Sequence, residues 1–357
     1  MGNNWEVSDL QIRTSASKSD EDSIFANGIM QVPVIVSIKA VDKTTRDRVT
    51  LSDSELSSIR LVDYDDTSKE LSDGWSYTTD VKTVFSNTLP AAAKASRLVA
   101  LDQVQLQADA NSGPQSKKYM VSTTKVENKS VAASIKQPDD ETITTHSETY
   151  NNHVTLKGLS PIKYTLDNVS VVREDTDNGT YAFDWQGALN KSWETAYKNW
   201  DQDNYYVSSS TKYKFVKADL HDYDSTGRGG GHPSDDRLKG VYSYHAADKK
   251  NLKLSFIWDF GGGSTTKAAG LLKEATVTDW GQQVGRRAHA YPDIKVNQKS
   301  NALCLTRLAI DCPDEIWGSN WSNTNCGFTI YDEYGNSGKF SASFSDDHNL
   351  IKIKNDS

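Results

Sequence analysis

Residues 27–42 read NGIMQVPVIVSIKAVD, and this segment decides the fold. After Asn27-Gly28 its side chains alternate strictly between two sets. One set comprises Met30, Val32, Val34, Val36, Ile38 and Ala40, and the other includes Gln31, Pro33, Ser37 and Lys39. Because successive side chains of a strand point to opposite faces, the pattern predicts a strand of an antiparallel sheet with one buried face. Pro33 lacks an amide donor, so we expect this strand at a sheet edge or at a bulge.

The same period of two recurs far along the chain. Residues 252–260 alternate between apolar and polar side chains, and Phe328 to Phe344 reads as a hairpin around a polar turn rich in glycine. Ile351 and Ile353 predict a last strand. The sequence therefore predicts a mainly β fold, built from antiparallel β-sandwich domains with a few short helices in a multidomain chain.

Length and composition suggest how the chain divides. With 357 residues it exceeds the size at which one hydrophobic core is usual. We expect an N-terminal β-sandwich at residues 1–112, a Ser/Thr-rich β segment at 113–177, and an aromatic-rich β domain with one amphipathic helix at 178–357.

The predicted helix lies in the aromatic-rich segment. Five apolar residues fall on one helical face, and Glu194 and Lys198 form an i,i+4 pair on another. The apolar residues are Leu189, Trp193, Ala196, Tyr197 and Trp200. We expect this helix to pack on a sheet, with a membrane-interface or ligand-stacking surface as the alternative.

Charge and hydropathy exclude several classes of protein. The formal net charge is -8, which argues against affinity for nucleic acid or anionic membrane. No window resembles a transmembrane segment or a secretory signal peptide, so we expect a soluble protein that is cytoplasmic or exported by a non-classical route. We expect Cys304, Cys312 and Cys326 to be reduced thiols, and a Cys312–Cys326 bridge is the alternative in an oxidising compartment.

A repeated acidic motif suggests a cation site. Residues 61–67, LVDYDDT, match residues 220–226, LHDYDST, at five of seven positions. In the second copy Asp222, Asp224 and Thr226 resemble the start of an oxygen-lined calcium loop, although the bidentate glutamate of an EF-hand is missing. The alternative is a polar loop in which the acidic side chains cap turns.

The same region concentrates histidine beside carboxylates. A metal-dependent hydrolase could use His221, Asp222, Asp224 and His232, although their spacing matches no ligand signature. Because the chain also lacks the common catalytic motifs, we expect a protein without enzymatic activity.

Two aromatic clusters fit sugar recognition, in which a ring stacks on the apolar face of a sugar while amides and carboxylates bind its hydroxyls. The candidate ligand-binding residues are Trp317, Asn320, Trp321, Asn323, Tyr205 and Tyr206. The alternative is that these rings belong to the core.

A loose resemblance covers about forty residues near the start. Ala26-Asn27-Gly28, the alternating strand, Ala40-Val41-Asp42 and the strand beginning at Val49 resemble the opening of bacterial immunoglobulin-like modules of adhesins and invasins. Those modules usually have a short Gly-Asn turn where this chain has Lys43-Thr44-Thr45-Arg46. The resemblance implies a β-sandwich used for recognition or as a spacer.

The leading hypothesis is a non-enzymatic bacterial recognition protein whose aromatic-rich C-terminal region binds a cell-surface glycan or receptor. The first alternative is a secreted or injected toxin, insecticidal or pore-forming, with the Ser/Thr-rich strands inserting into membranes. The second is the metal-dependent hydrolase. The sequence leaves oligomerisation open.

Overall fold

The computed structural model describes residues 4–16, 18–89, 113–221, 252–258, 260–261, 265–268, 271–290, 293–296, 299–311, 326–345, 347 and 349–356. The chain forms two compact units. Unit 1 comprises Met1–Ile162 and Tyr334–Asn336, and unit 2 comprises Lys163–Glu333 and Ser337–Ser357. The division predicted at residues 112 and 177 stays a prediction. Residue 112 lies outside the described residues, and residue 177 lies within a strand.

The described part of unit 1 contains two five-stranded sheets and one helical turn. Its elements are β1 (Trp5–Thr14), β2 (Glu21–Phe25), β3 (Val32–Asp42), β4 (Arg48–Val49), α1 (Asp53–Leu56), β5 (Arg60–Asp63), β6 (Trp75–Thr78), β7 (Gln115–Thr123), β8 (Asn128–Lys136), β9 (Thr142–Thr144) and β10 (Val154–Leu159). One sheet has the order β1-β3-β7-β6 with β4 beside β3, and the other has the order β2-β10-β8-β5 with β9 beside β8. The Ser/Thr-rich strands β7, β8 and β10 are thus paired within these sheets.

The deciding segment forms β3, as its alternation predicts. All six side chains of the predicted inner face are at most 2% exposed. The edge position predicted from Pro33 is wrong, because β3 lies between β1 and β7. Pairing with β1 ends at Val34, so Pro33 has a strand partner only on the β7 side, opposite Met120. A missing amide donor is tolerated where one side of a strand has no neighbour.

The outer edge of β1 is covered by side chains. Gln137 Oε1 accepts from Val7 N at 2.7 Å, and Tyr150 OH donates to the Val7 carbonyl at 2.9 Å. Asn152 Oδ1 accepts from Ile12 N at 2.6 Å. These contacts satisfy backbone groups that would otherwise offer a template for another chain.

Unit 2 is built around one long sheet. Its strands are β11 (Val169–Gln186), β12 (Trp193–Ser209), β13 (Phe215–His221), β14 (Leu252–Ile257), β15 (Thr265–Ala268), β16 (Leu271–Asp279), β17 (Gln282–Ala290), β18 (Asp293–Val296), β19 (Ala302–Ile310), β20 (Cys326–Asp332), β21 (Ser337–Phe344) and β22 (Ile351–Asn355). The six-stranded sheet has the order β14-β19-β12-β11-β17-β16, and a four-stranded sheet has the order β13-β20-β21-β22. β15 pairs with β18. These strands confirm the mainly β prediction, including the closing hairpin.

The predicted amphipathic helix is absent from its described range, and that prediction is wrong. Residues from Trp193 onward form β12, which pairs with β11 from Gln186↔Trp193 to Val169↔Ser209. The strand allows Trp200 to pack closely on Gly179 of β11. A Cβ added at Gly179 would lie 2.7 Å from the Trp200 indole nitrogen. The bare backbone of Gly179 therefore lets the ring pack directly against β11. Tertiary packing of this kind overrides a weak helical period.

The inner face of the long sheet forms a hydrophobic core that includes Phe183, Trp200, Phe256 and Leu308. A buried polar chain crosses it. Trp258 Nε1 donates to Thr306 Oγ1 at 2.7 Å, which donates to Asn204 Oδ1 at 2.6 Å. The hydroxyl and the amide satisfy one another, as buried polar groups require.

The opposite face of β12 and β19 carries a buried ion network. Arg307 Nη1 donates to Asp203 Oδ2 at 2.6 Å and to Asp201 Oδ2 at 2.7 Å. Arg173 Nη2 lies 3.0 Å from Asp203 Oδ2, and Arg307 Nη2 donates to Asn349 Oδ1. Two arginines thus balance two aspartates, which is how a protein tolerates buried charge.

Candidate functional site

Most predicted site residues lie outside the described residues. This holds for Trp317, Asn320, Trp321, Asn323, Asp222, Asp224, Thr226 and His232. His221 is described at the end of β13, where its Nε2 lies 3.0 Å from Thr329 Oγ1. Within the described ranges no group of three or more His, Cys, Asp or Glu side chains could hold a metal ion. The calcium loop and the hydrolase site stay predictions.

The first copy of the acidic motif is described, and it caps turns. Asp63 is bonded by the Lys129 ammonium, which holds the pKa of that carboxyl below its usual value. Asp66 accepts from the Ser68 hydroxyl at 2.6 Å and forms an ion pair with Lys69 at 2.9 Å. In this copy the carboxylates are used for local bonds and ion pairs.

Tyr205 and Tyr206, two of the predicted ligand-binding residues, lie on a strand and are buried. They are 4% and 2% exposed, in the middle of β12. Burial raises the pKa of Tyr206 to about 12, and the Lys299 ammonium lies 4.0 Å from the centre of its ring. Both side chains are buried in this structure, and their role in ligand binding stays a prediction.

Because Trp193 and the residues after it form a strand and not a helix, their aromatic side chains form a different surface from the one predicted. On β12, residues 193, 195 and 197 point to the face opposite the core, so Trp193, Thr195 and Tyr197 share one surface. Trp193 is 42% exposed and Tyr197 is 73% exposed. We call the surface of β12, β11, β17 and β16 that surrounds Trp193 and points away from the core the Trp193 face. It includes Gly285 and the side chains of Trp193, Thr195, Tyr197, Asp184, Gln186, Gln283, Arg287, His289, Glu274 and Thr276.

Side by side across four strands of the Trp193 face lie the residues that we call its first row. Trp193 pairs with Gln186 on β11, and Gly285 on β17 pairs with Thr276 on β16. The Gly285 amide donates to Gln186 Oε1 at 2.8 Å, which joins β11 to β17 in this row.

Gly285 makes room for the indole ring. A Cβ added at this position would lie 2.5 Å from Trp193 Cη2 and 2.9 Å from Gln186 Oε1. The absence of a side chain lets the indole reach from β12 across β11 to β17 and lie along the sheet. The ring therefore forms the wall of a shallow groove.

The second row is charged and internally paired. The Arg287 guanidinium stacks on the Trp193 ring at 4.2 Å from its centre, and Arg287 Nε lies 3.2 Å from Glu274 Oε1. On β11, Asp184 Oδ1 accepts from Thr195 Oγ1 at 2.7 Å. The stack and the ion pair hold Arg287 in place and restrict the motion of the exposed indole.

The groove around these rows has a cavity volume of about 510 Å³, lined by residues that include Gln186, Trp193, Glu274 and Thr276. This volume falls within the range of small-molecule sites, roughly 300–1,000 Å³. Its lining joins one indole ring to amide, hydroxyl, carboxylate and guanidinium groups. Such a surface can bind a molecule that has both an apolar face and many hydroxyl groups.

The sequence analysis considered Trp193 and Tyr197 for a ligand-stacking surface only as the alternative to packing, and it assigned them to a helix, whereas they lie on a strand. The signal that could have located it is the alternation Trp193-x-Thr195-x-Tyr197, with aromatic and β-branched residues that favour strands. The role of Gly285 depends on a contact between residues 92 positions apart, and no local pattern indicates it.

The described helix, α1, is a single turn, so no helix in the described ranges has the length to cross a lipid bilayer.

Comparisons with known proteins do not assign a family. No family model and no curated protein matches the chain. Among solved structures, the C-terminal domain of the Streptococcus agalactiae AgI/II polypeptide BspA is 9% identical with a TM-score of 0.23, over 97% of this chain and 100% of that one. The C-terminal domain of the Streptococcus pyogenes antigen I/II-family protein AspA is 10% identical with a TM-score of 0.21, over 98% and 99%. Likeness this low carries no argument, so function has to be inferred from the chain's own residues.

Proposed function

We propose that this is a non-enzymatic recognition protein that binds neutral carbohydrate on the Trp193 face. The observation that carries the proposal is the indole of Trp193, laid across Gly285 and still 42% exposed, with hydroxyl, amide and carboxylate groups around it. A sugar presents an apolar face to a ring and hydroxyl groups to its surroundings. The Trp193 face offers the complement of both.

Burial distinguishes this surface from the rest of the long sheet. The core-facing side chains in the same strands, such as Phe183 and Ala288, are at most 2% exposed. Exposing a large ring to water has a cost, because burying it would contribute about 1.5–3 kcal/mol. A surface that keeps an indole ordered and exposed, by a stack and an ion pair, is organised for contact with a ligand.

The charges on the face favour a sugar over a phosphate-bearing partner. Asp184 and Glu274 supply two carboxylates, and the guanidinium of Arg287 is already paired with Glu274. Phosphate recognition requires cations that are free to bind it.

A glycan array probed with three forms of the protein tests the proposal. The forms are the natural sequence, Trp193→Ala, and Trp280→Ala as the control. Trp280 lies in the turn between β16 and β17 and is 92% exposed, and it is not among the residues that line the groove. Trp280→Ala should keep the melting temperature of the natural protein, and Trp193→Ala should still unfold cooperatively, because neither removes a fully buried side chain.

We expect binding of neutral glycans by the natural protein and by Trp280→Ala. Loss of the ring contact should weaken Trp193→Ala by about 10-fold or more, since 1.4 kcal/mol corresponds to tenfold in affinity. Unchanged glycan binding by Trp193→Ala, or no glycan bound by the natural protein, would contradict the proposal.

A further inference from the structure

We infer that the ligand of the Trp193 face is a linear, neutral oligosaccharide that spans two subsites, one at Trp193 and a second at Tyr197. The inference rests on the proposed function and adds the length of the ligand and its second subsite. It depends on the placement of two exposed rings on one side of a single strand.

The spacing of the two rings sets the length. Trp193 and Tyr197 are four residues apart on β12 and point to the same side, as their pairing with Gln186 and Ala182 shows. At the rise of an extended strand their Cα atoms are about 14 Å apart. One sugar ring cannot contact both side chains, whereas a chain of several sugars can.

The surface between the rings is polar, as the middle of such a site requires. Thr195 lies between them on β12, and its hydroxyl donates to Asp184 Oδ1 at 2.7 Å. The second carboxylate oxygen, Asp184 Oδ2, lies 3.6 Å from His289 Nε2, beyond hydrogen-bonding distance. A carboxylate can accept about four hydrogen bonds, so Asp184 retains capacity for sugar hydroxyls.

Tyr197 itself fits the role of a second platform. It is 73% exposed, although the core-facing residues on either side of it, Ala196 and Lys198, are partly covered. A tyrosine ring offers an apolar face, and its hydroxyl adds a donor and an acceptor at the rim.

The charged side chains of this face argue against an acidic ligand. Asp184 and Glu274 place two carboxylates on this face, and Arg286, which also lines the groove, donates to the Gln186 and Gly285 carbonyls. Arg287 is stacked on Trp193 and paired with Glu274, so its guanidinium is not available to a sugar carboxylate. An acidic sugar chain would meet the carboxylates of Asp184 and Glu274, and like charges repel.

Calorimetric titration with oligosaccharides of one to six residues tests the inference. The probes are neutral α1,4-glucose, β1,4-glucose and β1,4-N-acetylglucosamine series, with oligogalacturonides as the acidic match. We expect affinity for at least one neutral series to rise at least 10-fold between the disaccharide and the hexasaccharide. The acidic series should bind at least 10-fold more weakly than the best neutral series.

Two variants and one control locate the subsites. Tyr197→Ala should weaken the hexasaccharide about 10-fold and leave the disaccharide unchanged, because only the longer ligand reaches from Trp193 to residue 197. Trp193→Ala should weaken both, and Trp280→Ala should weaken neither. These substitutions affect exposed side chains, and cooperative unfolding verifies folding.

The outcomes separate the inference from the proposed function. Equal affinity for short and long ligands, or equal loss for both in Tyr197→Ala, overturns the inference and leaves neutral carbohydrate binding standing. No binding of any neutral series, or preference for the acidic series, overturns both.

Discussion

Replacing Arg307 with methionine tests the buried ion network of unit 2. The side chains of Arg307 and Asp203 are 4% and 1% exposed, and the substitution keeps an apolar stem while removing the guanidinium. Breaking a buried pair typically costs about 3–5 kcal/mol, because the remaining charge stays buried without its partner. Here Arg173, 3.0 Å from Asp203, still compensates part of that charge. We therefore expect a loss of about 3 kcal/mol, the lower end of that range.

The expected loss can be read as a melting temperature. For a unit of this size 1 kcal/mol corresponds to about 2–4 °C, so Arg307→Met should melt about 6–12 °C lower in the transition assigned to unit 2. Asp201 is 45% exposed, and exposed pairs contribute at most about 1 kcal/mol. Asp201→Asn, the matched control, should shift melting by less than about 4 °C.

A double variant separates the cost of an uncompensated charge from the loss of packing. Asp203 Oδ1 and Arg307 Nε have no hydrogen-bond partner among the described residues, so the network is not fully satisfied within that part of the chain. Replacing both groups, in Asp203→Leu with Arg307→Met, should recover most of the stability lost by Arg307→Met alone. Calorimetry and tryptophan fluorescence in urea measure these shifts. The reasoning is refuted if Arg307→Met melts like Asp201→Asn, or if the double variant is less stable than Arg307→Met.

Three further predictions concern other parts of the chain. Burial raises the pKa of Asp22 to about 6 from 3.8. The contribution of this carboxyl to stability is therefore fully present below pH 3.8 and is lost as pH rises through about 6. Asp22→Asn should melt at a higher temperature than the natural protein at pH 7.5 and at the same temperature at pH 3.5. Gly158→Ala should destabilise unit 1 by about 3 kcal/mol or more, because the added Cβ would lie 2.1 Å from the Lys125 carbonyl oxygen. The control Gly187→Ala should melt almost normally, because the nearest atom to its added Cβ belongs to a side chain and lies 3.1 Å away. Cys304 is buried with its pKa raised to about 12, so with the other two cysteines replaced by alanine its thiol should react with an aromatic disulfide only after unfolding in urea.

Each of these three has a clear contrary result. A pH-independent gain in Asp22→Asn would mean that ionisation is not what destabilises the site. A normal melting curve for Gly158→Ala would mean that the two backbone segments are not in contact. Rapid labelling of the native thiol would place Cys304 at the surface.

Strands with strict alternation were predictable from the sequence. The inner face of β3, the alternation in β14 and the hairpin of β20 and β21 all follow from period two and turn residues. Long-range pairing was not predictable, and Pro33 shows the reason. A proline indicates that one backbone donor is missing, but only the pairing of β1, which ends opposite Val34, shows which side has no neighbour.

The site was harder to predict because its geometry depends on that pairing. Residues Leu189 to Trp200 satisfy a helical period, yet β11 supplies a partner for β12 and Gly179 supplies the space for Trp200. The same change of period moves Trp193 and Tyr197 to an exposed sheet face. Composition shows that the C-terminal region is rich in aromatic residues, but it could not separate the buried rings Tyr205 and Tyr206 from the exposed ones.

The central claim, that Trp193 contacts a neutral sugar, can be tested by NMR of the indole N–H groups during titration with the best-binding neutral oligosaccharide. The chain has nine tryptophans, and Trp193→Phe and Trp280→Phe assign the two signals that matter. We expect the Trp193 signal to shift with the ligand and to saturate, while the Trp280 signal stays in place. A saturating shift at other indoles with none at Trp193 would contradict the claim.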